Sequence, residues 1–115
     1  MRIAHVIPGL DPATGGPPAV LFRMAAAQAA LGHDVLIFGK RRPERHQVVV
    51  DFYSQVKGID AVDIIELDQP TSQVADLLSS ELPRTLTARG PFDLLHIHPA
   101  SPASAPHMSL LTSSL

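Results

Sequence analysis

The chain contains no cysteine in 115 residues, which excludes disulfides and thiolate metal sites and fits a reducing compartment. It also lacks an apolar run of the roughly 18 residues that a membrane helix needs. Arg23 and Gln28 interrupt the most alanine-rich segment, so no membrane span is predicted, and only peripheral membrane contact is left open. The opening "MRIAHVIPGL" is interrupted by His5 and stopped by Pro8, too short for the apolar core of a signal peptide; it reads as a cytoplasmic start. Neither sign of charge dominates, with 9 Lys and Arg against 11 Asp and Glu. The net charge is −2, and the one basic cluster, Lys40-Arg41-Arg42 with Arg45, is short, so nucleic acid is not an expected partner. What remains is 45% hydrophobic and 17% charged, the balance of a chain that folds as one domain or part of one.

Short apolar runs alternate with helical patterns. "IAHVI" at 3–7 is bounded by Pro8-Gly9 and reads as a buried parallel strand. "PAVLFRMAAAQAAL" at 18–31 reads as a helix, with Leu21, Met24, Gln28 and Leu31 three or four residues apart. Pro17 or Pro18 suits its first turn and Gly32 its left-handed end. "DVLIFG" at 34–39 completes a β-α-β unit, for which a right-handed crossover is expected. "VVVDFY" at 48–53 fits a strand or a short helix. "VDIIEL" at 62–67 reads as a strand, a helical pattern runs from about Ser72 to Arg89 in which Pro83 either breaks the helix or starts a second short one, and "FDLLHIH" at 92–98 is a last strand. The predicted fold is α/β, a Rossmann-like doubly wound parallel sheet over residues 1–98. Residues 99–115 are expected to form a Pro-rich connection and the start of a helix, so that the chain reads as a piece of something larger.

Two features carry chemistry. "GLDPATGGPP" at 9–18 lies where a strand ends and a helix begins, the place where open parallel sheets hold ligands. Gly15 and Gly16 admit a close approach of the backbone, and a helix N-terminus attracts an anion. The loop has neither the Lys-Ser/Thr of a P-loop nor the Gly-x-Gly-x-x-Gly of dinucleotide sites, so it is either a ligand loop or a rigid turn. The second feature is the pair His96 and His98, which project to one side of a strand. They suit hydrogen bonds to a sugar or phosphate, metal ligation, or one packed and one exposed imidazole. His5 is expected to be a buried neutral histidine with a backbone partner. With one histidine pair converging, too few ligands are expected for a metal site, and none is predicted.

Residues 1–39, with Gly32-His33-Asp34-Val35 entering the second strand, together with "FDLLHIH" at 92–98, resemble the N-terminal domain of the retaining, nucleotide-sugar-dependent glycosyltransferases of family 4. The resemblance hardly touches the middle of the chain. It implies the incomplete N-terminal half of a GT-B fold, in which two Rossmann-like domains face each other across a cleft. It further implies that Gly15 and Gly16 lie against the donor's diphosphate or transferred sugar, that His96 and His98 line the cleft, and that no metal is needed. The partners implied are a nucleotide sugar, an acceptor and a C-terminal Rossmann-like domain. The chain stops before the family's next strand, with its sugar-contacting histidine, so the isolated chain is expected to be inactive. Two other classes are compatible with the same residues: a metal-dependent hydrolase using the His-x-His pair, and a non-catalytic α/β binding module.

Overall fold

A parallel strand buried on both faces is apolar at nearly every position, and the short runs of this chain assemble on that basis. The computed structural model describes residues 1–14, 17–40, 42–67, 82–98 and 108–111. In chain order the elements are β1 (Arg2–Gly9), α1 (Pro17–Ala30), β2 (Asp34–Lys40), α2 (His46–Tyr53), β3 (Val62–Leu67), α3 (Leu82–Arg89), β4 (Leu94–Ile97) and β5 (Met108–Leu111), with short 3-10 turns between some of them. The sheet order is β3-β2-β1-β4-β5. The first four strands are parallel, and β5 is an antiparallel edge. The chain is α/β with a Rossmann-like parallel sheet, as the alternation of strand and helix patterns predicts.

Side chains alternate across the sheet, and each face has its own core. Ile7, Val35 and Ile37 pack with Leu21, Phe22, Ala25 and Ala26 of α1 and Val49 of α2. Ala4, Val6, Leu36, Phe38, Leu95 and Ile97 pack on the other face with Phe92 and with Leu86 of α3. The chain therefore winds β1, β2, β3 outward under α1 and α2, then returns beneath the opposite face through α3 to lay β4 beside β1. The direction of winding reverses between β1 and β4, which makes that seam the topological switch point.

Local chemistry sets the helix ends. Pro17 and Pro18 open α1, where a missing N–H costs nothing. Gly32 closes it at φ 95°: its N–H donates to the Ala29 carbonyl at 3.0 Å, and the His33 N–H donates to the Gln28 carbonyl at 3.2 Å, a Schellman closure. The buried stripe of α1 is Leu21, Phe22, Ala25 and Ala26, while Leu31 is 78% exposed, since it falls in the closing turn after the helix has left the sheet. The ambiguous segment at 48–53 is helical, and Val49, Phe52 and Tyr53 of α2 face Phe22 and its neighbours. Of the pattern expected from Ser72, only Leu82–Arg89 lies within the described residues, with Pro83 in its first turn.

One expectation is corrected. Residues 108–111 do not begin a helix; they pair with β4 from Leu94↔Leu111 to Ile97↔Met108. A four-residue segment, Met-Ser-Leu-Leu, is too short for periodicity to decide its conformation, and the open edge of β4 offered unpaired backbone groups that a strand satisfies. Among the described residues no helix is long and apolar enough to cross a membrane.

Candidate functional site

Parallel pairing puts the ends of β1 and β4 on one edge of the sheet. His5 is in register with His96, and His98 follows the last residue of β4, its N–H donating to the Val6 carbonyl at 2.8 Å. Because Leu95 and Ile97 point into the α3-side core, His96 and His98 point to the α1 side. Their rings lie 4.1 Å apart between centroids, and each is 5.4 Å from the ring of His5. Three imidazoles thus line the β1–β4 seam from mid-sheet to the carboxyl edge.

The pair spacing within "HIH" behaves as strand geometry requires. Neither ring is exposed: His98 is 4% accessible and His96 is half-buried. His5, at 0%, is buried as expected, but its partners are side chains and not backbone. Its Nε2 lies 2.7 Å from Oε1 of Gln28. A carboxamide oxygen only accepts, so Nε2 carries the proton, and Nδ1 is left with its lone pair facing Nε2 of His98 at 3.3 Å. A backbone partner was ruled out by the sheet itself, whose ladder already uses the neighbouring main-chain groups. Burial lowers the His5 pKa below the ordinary imidazole range; the bond to Gln28 opposes this and the charge of His96 adds to it. His5 is held neutral.

Gln28 was legible as one polar residue on the inner side of an apolar helix, and its place follows from the end of α1. The Schellman turn holds the Gln28 carbonyl and so anchors the last turn from which its side chain reaches His5. The expectation of too few convergent ligands for a metal rested on a single histidine pair. Among the described residues His5, His96 and His98 form one group whose ligand atoms all lie within 4.8 Å of one another, so that premise does not hold. Sequence alone could not bring position 5 to position 96, because the pairing of β1 with β4 spans most of the chain.

At the same edge the loop after β1 begins with a fixed anchor. Asp11, 3% exposed, accepts the Ala13 N–H at 2.9 Å and two bonds from Arg45, Nε at 2.5 Å and Nη2 at 3.0 Å. The forked guanidinium matches the carboxylate, and Arg45 is thereby engaged inside the molecule instead of offered to a polyanion. Gly15 and Gly16 lie outside the described residues. The opposite edge is structural: Arg2 donates to the Arg89 carbonyl and to Asp34, and its guanidinium lies 5.1 Å from the centre of the Phe92 ring.

The Arg45 bonds, with the Ala13 N–H next, lower the Asp11 pKa from 3.8 to about 2. The stabilisation this carries is complete above pH 3.8 and is lost as pH falls through about 2, because the unfolded chain takes up the proton first. Asp11→Asn keeps the shape and removes the charge, and is expected to cost about 1.5–3 kcal/mol near neutral pH. In urea titrations the gap between wild type and variant should narrow below pH 4; a gap that is constant with pH would show that the charge contributes nothing.

The chain matches no protein-family model, and no curated protein or solved structure matches it.

Proposed function

We propose that this chain is the acceptor-side, Rossmann-like domain of a nucleotide-sugar-dependent GT-B glycosyltransferase, moving a sugar from a nucleotide-sugar donor to a glycan, lipid or small-molecule acceptor. The observation that carries the reading is the switch point between β1 and β4, at whose carboxyl edge the Gly-rich loop starts and His98 follows β4. Crevices at such points are where open parallel sheets bind nucleotides and related ligands. The resemblance of residues 1–39 and 92–98 to the family 4 glycosyltransferases supports the choice of ligand.

On this reading the loop with Gly15 and Gly16, leading into the amino end of α1, takes the donor's diphosphate or sugar, where free N–H groups and the helix dipole favour negative charge. His96 and His98 line the crevice. The prolines flanking the glycines limit the conformations the loop loses on binding. Transfer requires donor and acceptor to be held together in reactive geometry, and one domain presents one wall. A facing C-terminal domain supplies the other, and the isolated chain binds without turning over. The proposal places the enzyme in the cytoplasm, in keeping with a chain free of cysteine.

Ligand-observed NMR with a panel of nucleotide sugars tests it. Saturation transfer to the diphosphate-linked sugar is expected with this chain, weakened about tenfold, or 1.4 kcal/mol, by Gly15→Val or Gly16→Val. No transfer from any member of the panel, or transfer unaltered by both substitutions, would leave the loop as a turn and the chain as another kind of α/β module.

A further inference from the structure

We infer that His5, His96 and His98 form a binding site for a zinc-class divalent cation across the β1–β4 seam, with Gln28 as the residue that orients His5. The inference does not depend on glycosyl transfer. Imidazole is the common nitrogen ligand of such ions, at about 2.0–2.1 Å. Two nitrogens on one edge of a tetrahedron of that size are about 3.3–3.4 Å apart, and Nδ1 of His5 and Nε2 of His98 are 3.3 Å apart. The third ring is close by, since one ligand nitrogen from each of the three histidines lies within 4.8 Å of the others.

The Gln28 contact is a second, independent pointer. Histidines that bind metal usually donate their other ring N–H to an oxygen, which sets the tautomer and the ring orientation. His5 does this through Nε2 to the Gln28 carboxamide at 2.7 Å, which leaves Nδ1 deprotonated and directed into the cluster. A neutral imidazole is the form that ligates, so the group is prepared before an ion arrives. In the metal-free state a proton on His98 Nε2 bridges to His5 Nδ1; when an ion takes that position, the His98 proton moves to Nδ1, so that both rings ligate as neutral imidazoles and no net proton is lost. Three protein nitrogens leave a tetrahedral ion at least one position for water or for an oxygen of a ligand, the arrangement of Lewis-acid centres rather than of closed structural ones. The cluster sits at the switch point, where a ligand would approach.

The test uses the untagged full chain, metal-stripped, titrated with Co(II) and Zn(II). The expected result is saturable binding of one ion per chain, with the intense visible absorption of low-coordinate Co(II) displaced by Zn(II). His96→Ala carries the test because that ring is only half-buried; His98→Ala accompanies it, and circular dichroism checks the fold of both. Each should weaken binding by 100-fold or more, while His46→Ala, on the exposed surface, should leave it unchanged. Gln28→Leu should weaken binding about 10–100-fold at unaltered stoichiometry, and Gln28→Glu, which keeps an oxygen acceptor, should restore it. A wild type that binds no ion saturably, or binding that survives both His96→Ala and His98→Ala in folded protein, overturns the site. Weaker binding in Gln28→Leu at an unchanged melting temperature of the metal-free protein is the outcome that a purely structural Gln28–His5 bond would not produce.

Discussion

Phe22→Ala is expected to destabilise the chain by about 3–5 kcal/mol, a large share of what a domain of this size has. The Phe22 ring is fully buried and joins three elements: it projects from α1 onto the sheet core with Val35 and Ile37 and meets Phe52 at 5.8 Å and Tyr53 at 5.4 Å between ring centroids. Truncation removes its transfer free energy and leaves a cavity that strands and helices on both sides cannot close. The loss also reaches the histidine cluster, since α1 carries Gln28 and its tilt sets the Gln28 contact with His5. Phe22→Leu, which refills most of the volume, should recover more than half of the loss. Urea unfolding followed by far-ultraviolet circular dichroism measures both; a loss under about 1 kcal/mol for Phe22→Ala would mean that α1 is held elsewhere.

The second large effect is a coupling between Gly39 and Leu10. A Cβ at Gly39 would stand 2.6 Å from Cγ of Leu10 and 2.9 and 3.0 Å from its two methyls, closer than carbon atoms pack. Leu10 is 2% exposed and cannot swing into solvent without leaving the core beside Ile7, Leu21 and Ile37. Gly39→Ala should therefore cost about 1–3 kcal/mol through overpacking, and Leu10→Ala about 2–5 kcal/mol through the cavity it leaves. The two changes fill and empty the same space, so the double variant should be less destabilised than the sum of the singles by 1 kcal/mol or more, a coupling typical of residues in contact. Strict additivity would show that strand β2 shifts to accept the methyl. Leu10 also leads directly into Asp11 and the loop after β1, so this pair seats the start of the candidate ligand loop.

The alternation of short apolar runs with helical patterns was enough to determine an α/β chain and the positions of β1, β2 and β3. Strands covered on both faces must be apolar along their length, and β-branched residues between Gly and Pro signals are sufficient to mark them. The end of α1 was equally legible, because only glycine adopts the left-handed conformation of its closing turn at no steric cost. The spacing of His96 and His98 determined that both rings share a face, by the two-residue period of a strand alone.

Tertiary structure decided the rest. Residues 48–53 form a helix because Val49, Phe52 and Tyr53 find Phe22 and α1 to pack against, a reason that lies outside the segment. Met108–Leu111 is a strand because β4 has an edge to fill, and a four-residue run has no periodicity with which to resist. His5, read as a buried histidine with a backbone partner, joins His96 and His98 only because the reversal of winding lays β4 against β1, and Gln28 reaches it only because α1 packs on the face of the sheet to which His5 points. Asp11 and Arg45 meet because β1 and β2 run parallel, which brings the loops after them to one edge. Local pattern determines which residues become strand or helix; which strands become neighbours is settled by the burial of both sheet faces at once, and the candidate site is made of those neighbours.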